Sequence, residues 1–225
     1  MTTQPPTAVY LEVGRKRVFA CALDWPGWCR AGRNEEQALA ALDAYRPRYA
    51  PVAQRAGLEL PPGAALTFDV VERLPGTAGY TDFGAPGEIA TSDTRPIGVE
   101  EARRLASLVE AAWATFDSVV ERAPAELRKG PRGGGRDRDR MVEHVLGAEA
   151  AYARKLGVRH RQPAAGDRPA ILALRTALIE ALSQPSNGTP SATNAWPHRY
   201  AARRIAWHVL DHAWEIEDRS IAESG

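Results

Sequence analysis

The sequence predicts an α+β chain in which a small β-sheet plus helix unit precedes an all-α, up-down four-helix bundle. Short runs of apolar residues with β-type patterning occupy the first seventy or so positions. After Gly98 the apolar residues recur at helical spacing in four stretches. Between the two lies a segment with Pro75, Gly76, Gly79, Gly84, Pro86, Gly87 and Pro96 and few aliphatics, which reads as a connection. The expected units are therefore 1–74, a linker over 75–97, and 98–222.

A chain of 225 residues with 44% hydrophobic content can bury a real core. The formal net charge is +1 with both signs spread along the sequence, so no nucleic acid partner is expected. Met1 to Thr7 is polar and Pro-rich, and no run approaches the roughly 18 apolar residues a membrane span needs. The expectation is a cytoplasmic protein with a small-molecule substrate and no membrane partner; a homodimer is left open. Only Cys21 and Cys29 are present, too few for a disulfide scaffold and not spaced as a CxxC motif, so both are expected to be reduced, structural thiols.

Taken in order, residues 8–13 and 17–23 are short β-type runs around Gly14-Arg15-Lys16, which predicts a hairpin. Asp24-Trp25-Pro26-Gly27-Trp28 is turn chemistry. Asn34 followed by Gln37 predicts a capped helix start running through Ala38, Leu39, Leu42 and Tyr45, which Pro47 and Pro51 should end or kink. Residues 66–72 alternate Leu66, Phe68 and Val70 against Thr67, Asp69 and Val71, as a half-buried strand would. The unit reads ββ(β)αβ. Asp24, Pro26, Gly27, Gly32, Glu35, Glu36 and Ala38 give residues 8–72 a resemblance to the HicB-like small sheet domain. That resemblance implies an antitoxin-type role where a DNA-binding segment is attached, and this sequence carries none. The unit is instead expected to act as a lid or a dimer contact. Tyr80 and Phe83 are expected to pin the linker to a surface.

Val99, Leu105, Leu108, Val109, Ala112, Trp113, Phe116, Val119 and Val120 form one stripe, which predicts a helix closed by Pro124. Further helices are predicted over 138–156, 167–183 and 198–219, and four such helices argue for a bundle.

The last of them carries His208 and His212, spaced i, i+4 and so about 40° apart around the axis, able to converge on one ion. The pair lies between an apolar column (Ile205, Val209, Ile216) and a polar one (Arg204, Asp211, Glu215). His144, beside Met141, Val145, Ala148 and Tyr152, should also face the interior. Three neutral imidazoles would leave a tetrahedral divalent metal one open position. His160 and His198 are expected at the surface, off the site.

Residues 138–149 around His144, and 200–215 around the HxxxH pair, resemble the DinB-like (YfiT-like) superfamily of metal-binding four-helix proteins. The resemblance covers about 99–218. It implies a zinc-, nickel- or iron-type divalent site, zinc foremost, and in several branches transfer of a low-molecular-weight thiol such as mycothiol or bacillithiol.

Around the histidines, Glu143, Arg204 and Glu215 are the candidate catalytic residues, since a carboxylate can orient an imidazole or accept a proton. Arg132 and Arg136, in the glycine-rich 129–140 loop, and Tyr152 are the candidate substrate-binding residues; such a loop before a helix can bind an anion, with Arg adding bidentate contacts. Trp196, Tyr200, Trp207 and Trp214 read as packing residues. The function expected is a metal-dependent thiol S-transferase acting on an electrophilic small molecule. A metal-dependent hydrolase and a non-enzymatic, antitoxin-like interaction protein are the alternatives.

Overall fold

A computed structural model describes residues 6–61, 67–129, 135–190 and 192–220. The N-terminal unit begins with β1 (Thr7–Val13) and β2 (Val18–Ala22), paired antiparallel around the predicted turn, where Gly14 N–H donates to the Arg17 carbonyl at 2.9 Å. β3 (Cys29–Gly32) adds antiparallel to β2. β4 (Phe68–Pro75) returns parallel to β1, giving a mixed sheet in the order β3-β2-β1-β4. Its alternation is the predicted one, with Phe68 and Val70 turned inward and Asp69 and Val71 outward. Leu66, the predicted start of this strand, lies outside the described residues.

Helix α1 (Glu35–Ala44) starts as expected: the Asn34 side chain accepts from Gln37 N–H at 2.8 Å, and the Gln37 side chain accepts from Arg33 N–H at 3.2 Å. The helix ends just ahead of Pro47, as expected, but the chain stays helical beyond it. The helix breaks at Tyr45 and α2 (Arg46–Arg55) follows at once, with Pro47 in its first turn and Pro51 inside it. In a first turn proline's missing N–H forfeits no hydrogen bond and its fixed φ is already helical, so Pro47 helps start a helix. Two glycines permit close approach. A Cβ on Gly32 would meet the backbone at Gln37 and Ala38, and Gly27 (φ +93°) sits against Ala206 and Leu210.

The long helices lie where the periodicity predicts: α3 (Val99–Arg122), α4 (Arg138–Lys155), α5 (Arg168–Leu182) and α6 (His198–Ser220). α6 packs along α3 and also against α4, while α5 packs on α3 and α4. No helix among the described residues is long and apolar enough to cross a membrane.

One hydrophobic core runs through both parts of the chain. Val9, Leu11, Val18, Ala20 and Trp28 share it with Leu42, Tyr49, Leu105, Phe116, Met141, Leu178, Ile205 and Leu210. The alternate sheet residues Tyr10, Phe19, Cys21 and Cys29 form a second cluster around Trp207 of α6. Consequently α6 is buried nearly all round, Arg203 and Arg204 included. The polar column of Arg204, Asp211 and Glu215 is thus partly covered, because a stripe that looks polar within one helix can be roofed by another part of the chain. Arg30–Asp211 (2.9 Å), Arg48–Glu217 (2.8 Å) and Arg48–Asp218 (2.9 Å) tie the N-terminal unit to α6.

The 75–97 segment is held by polar contacts rather than by the aromatics expected to pin it. Tyr80 and Phe83 are exposed, Phe83 at 84%. Glu12, fully buried at the end of β1, accepts from Gly87 N–H (3.1 Å), Glu88 N–H (3.0 Å) and the Thr81 hydroxyl. Farther on, Asp93 in a short 3₁₀ turn (Thr91–Thr94) pairs with Arg203. A buried carboxylate needs such donors, so a single Glu in β1 organises the loop above it.

Candidate metal centre

Helix α4 supplies His144 and α6 supplies His208 and His212, and packing of the two helices brings the rings together. His144 Nε2 and His208 Nε2 are 3.2 Å apart. Ring centroids lie 5.0 Å apart for His144–His208, 4.9 Å for His144–His212 and 4.6 Å for His208–His212. One nitrogen from each ring can be chosen so that all lie within 4.8 Å of one another.

Tetrahedral nitrogen ligands at about 2.0–2.1 Å from zinc stand roughly 3.3 Å from each other. The 3.2 Å pair already meets that spacing. The third nitrogen lies within 4.8 Å of the other two, so the donor set is compatible with a divalent ion.

The electrostatics favour neutral rings. Burial, and then the neighbouring His212, push His144 down to about 4. His208 lies well below its ordinary value, again through burial first, with His212 and Arg204 adding to it. A neutral imidazole offers a lone pair, which is the form a metal takes. His208 Nδ1 is buried without a hydrogen-bond partner among the described residues.

His212 has an oriented nitrogen: its Nδ1 stands 3.1 Å from Glu215 Oε2, and Glu215 Oε1 accepts from Arg219 at 2.9 Å. His212 and Arg219 together hold the Glu215 carboxyl below the usual carboxylate range. With Nδ1–H donated to Glu215, Nε2 of His212 is left for the ion.

No family model, curated protein or solved structure matches the chain.

Glu215 and Tyr152 are at the histidines. The Tyr152 ring meets His208 edge-on at 5.7 Å and Trp196 at 5.0 Å. Arg204 is one step farther out, its guanidinium 5.8 Å from the Tyr152 ring and 4.7 Å from Trp207, donating to the Pro86 carbonyl at 3.0 Å. Arg136 is exposed, yet its charge contributes to the lowering of both His144 and His208. Arg132 lies outside the described residues. Glu143 is exposed and pairs with Arg140 at 2.8 Å.

His160 and His198 are outside the trio as expected, though half-buried rather than on the surface: His198 Nδ1 is 3.4 Å from the Gln184 carbonyl. Trp207 and Trp214 are packed in the core, Trp214 against Tyr45. Asp211 is engaged by Arg30. Arg219 was not among the expected site residues, although its i, i+4 spacing from Glu215 is a signal that could have found it.

Proposed function

We propose that this chain is a metal-dependent enzyme of the DinB-like superfamily that transfers a low-molecular-weight thiol, of the mycothiol or bacillithiol type, to an electrophilic small molecule. The observation that carries the reading is the convergence of His144, His208 and His212, two of them with imidazoles kept neutral by burial. The order of the motifs, one His on α4 and HxxxH on α6, supports it, as does the packing of α3 to α6 on one another.

A divalent ion held there supplies positive charge that lowers the pKa of a bound thiol or water. The protein's part follows from the geometry. Glu215, steadied by Arg219, fixes the tautomer of His212. Tyr152 and Trp196 form an aromatic wall beside His208, and Arg204 is fixed behind that wall. Arg136 is an exposed cation close enough to act electrostatically on His144 and His208, and so is available to an anionic group on a substrate. Glu143, facing solvent and paired with Arg140, has no part in this scheme. In the proposal the HicB-like unit roofs α6 rather than reading DNA.

Three protein ligands leave an open position that water can take as well as a thiol, which favours metal-dependent hydrolysis as the second reading. The two separate on thiol dependence. Metal-loaded protein is incubated with a panel of thiols and a generic electrophile, and wild type is compared with His144→Ala. Adduct formation above the uncatalysed rate, lost in the variant, supports transfer. Cleavage of test esters or amides without any thiol effect overturns it in favour of hydrolysis.

A further inference from the structure

A second group of reactive side chains lies between the sheet and α6, around a small cavity of about 20 Å³ lined by Tyr10, Cys21, Cys29, Arg203 and Trp207. One water needs roughly 10–15 Å³, so the space suits a guest of about that size. Two donors on its lining residues have no hydrogen-bond partner among the described residues: Nη1 of Arg203 and Nε1 of Trp207. Both residues are 5% exposed. Buried donors of this kind call for an acceptor.

The two thiols at this cavity face each other. Cys21 and Cys29 are direct partners in the β2–β3 register, with their sulfurs 2.6 Å apart. Ala22 N–H donates to the Trp28 carbonyl at 3.0 Å, which makes the neighbouring Cys21–Cys29 pair the non-hydrogen-bonded kind. In such pairs the Cα atoms are about 4.5 Å apart, inside the roughly 4.4–6.8 Å range that a disulfide spans. Eight positions separate the cysteines in sequence, which hides the pair; the turn at Asp24–Gly27 and the strand register create it.

We propose that Cys21 and Cys29 are a reversible oxidation site, converted by hydrogen peroxide to a cross-strand disulfide, with the cavity beside them admitting the oxidant. The sulfur of Cys21 gives up its proton and attacks one peroxide oxygen; the O–O bond breaks, and the leaving hydroxide takes up that proton to become water. Cys21 is then a sulfenic acid. The Cys29 sulfur attacks it, the S–O bond breaks, and the hydroxide released leaves with the Cys29 proton as a second water. Two thiols have lost two electrons and one peroxide has become two waters.

The surroundings distribute the roles. Arg203 lines the same cavity as Cys21 and offers its positive charge and its unpartnered Nη1 to the departing hydroxide. Burial pushes the Cys29 thiol up, helped by Cys21, so Cys29 keeps its proton and serves as the resolving thiol. Trp207 joins this cavity to the histidine centre, its ring 6.2 Å from that of His208, but the proposal does not rest on the proposed activity.

The test treats the folded, full-length chain with hydrogen peroxide, quenches it, unfolds it and alkylates the remaining thiols before peptide mapping. The expected result is parallel loss of both thiols, a cross-linked peptide joining Cys21 to Cys29 within one chain, and full recovery with a dithiol reductant. In Cys29→Ser, Cys21 should stop as a sulfenic acid that a cyclic diketone traps. Two thiols still alkylated after oxidation, oxidation to unlinked higher acids, or links only between chains would overturn the proposal. The wild-type map decides this even if the serine variant does not fold.

Discussion

His212 Nδ1 stands 3.1 Å from Glu215 Oε2, and the other oxygen of the same carboxylate accepts from Arg219. Three residues on successive turns of α6 thus form a relay that ends on a candidate metal ligand. Glu215→Gln keeps the size of the side chain but removes the charge that orients His212. Affinity for zinc should fall about 10- to 100-fold, the usual cost of losing such an outer partner. Competition against a chromophoric chelator measures it, with circular dichroism confirming the fold; unchanged affinity would reduce the pair to an ordinary helix-surface contact.

Arg175 and Glu149 give a stability prediction away from the histidines. Arg175 contacts Glu149 through Nε and Nη2, both at 3.2 Å, and reaches Asp117 at 2.8 Å; the Glu149 side chain is 1% exposed. Arg175→Met strands that carboxyl in the interior and should cost about 3–5 kcal/mol in urea unfolding. The double variant Arg175→Met/Glu149→Leu should recover most of the loss. A single variant as stable as wild type would mean that water reaches Glu149.

Acid should weaken the metal-free protein in a defined window. His144 is pushed down to about 4 from an ordinary 6.5, so on acidification the unfolded chain takes the proton first. Stability contributed by the neutral ring is complete above about 6.5 and is lost as the pH falls toward about 4. Denaturant midpoints over that range should decline less steeply in His144→Gln than in wild type. Identical slopes would show that His144 remains solvated.

Much of this was legible in the sequence. The four long helices were visible because each carries an apolar stripe, and the histidines because helical spacing alone puts His208 and His212 on one face. Asn34 and Gln37 announced the start of α1 through side-chain capping, a purely local interaction. What could not be read depends on contacts between distant segments. That Arg204 is covered follows from Pro86 and the sheet lying over α6. Glu12 as the anchor for 75–97 depends on loop N–H groups whose direction no composition reveals. Cys21 and Cys29 meet only because of strand register. Pro47 marks the end of α1 as expected, but that a second helix opens on it is not legible without knowing that a first turn tolerates what a helix interior does not.

The most direct test is metal stoichiometry in untagged protein, stripped with chelator, reloaded by dialysis against zinc and assayed by elemental analysis beside a His208→Ala/His212→Ala double variant. The arrangement of His144, His208 and His212 predicts one tightly held zinc ion per wild-type chain and none in the double variant at the same free-metal concentration. A folded wild-type chain that retains no metal, or a double variant that retains as much, would contradict the metal centre and the proposed chemistry with it.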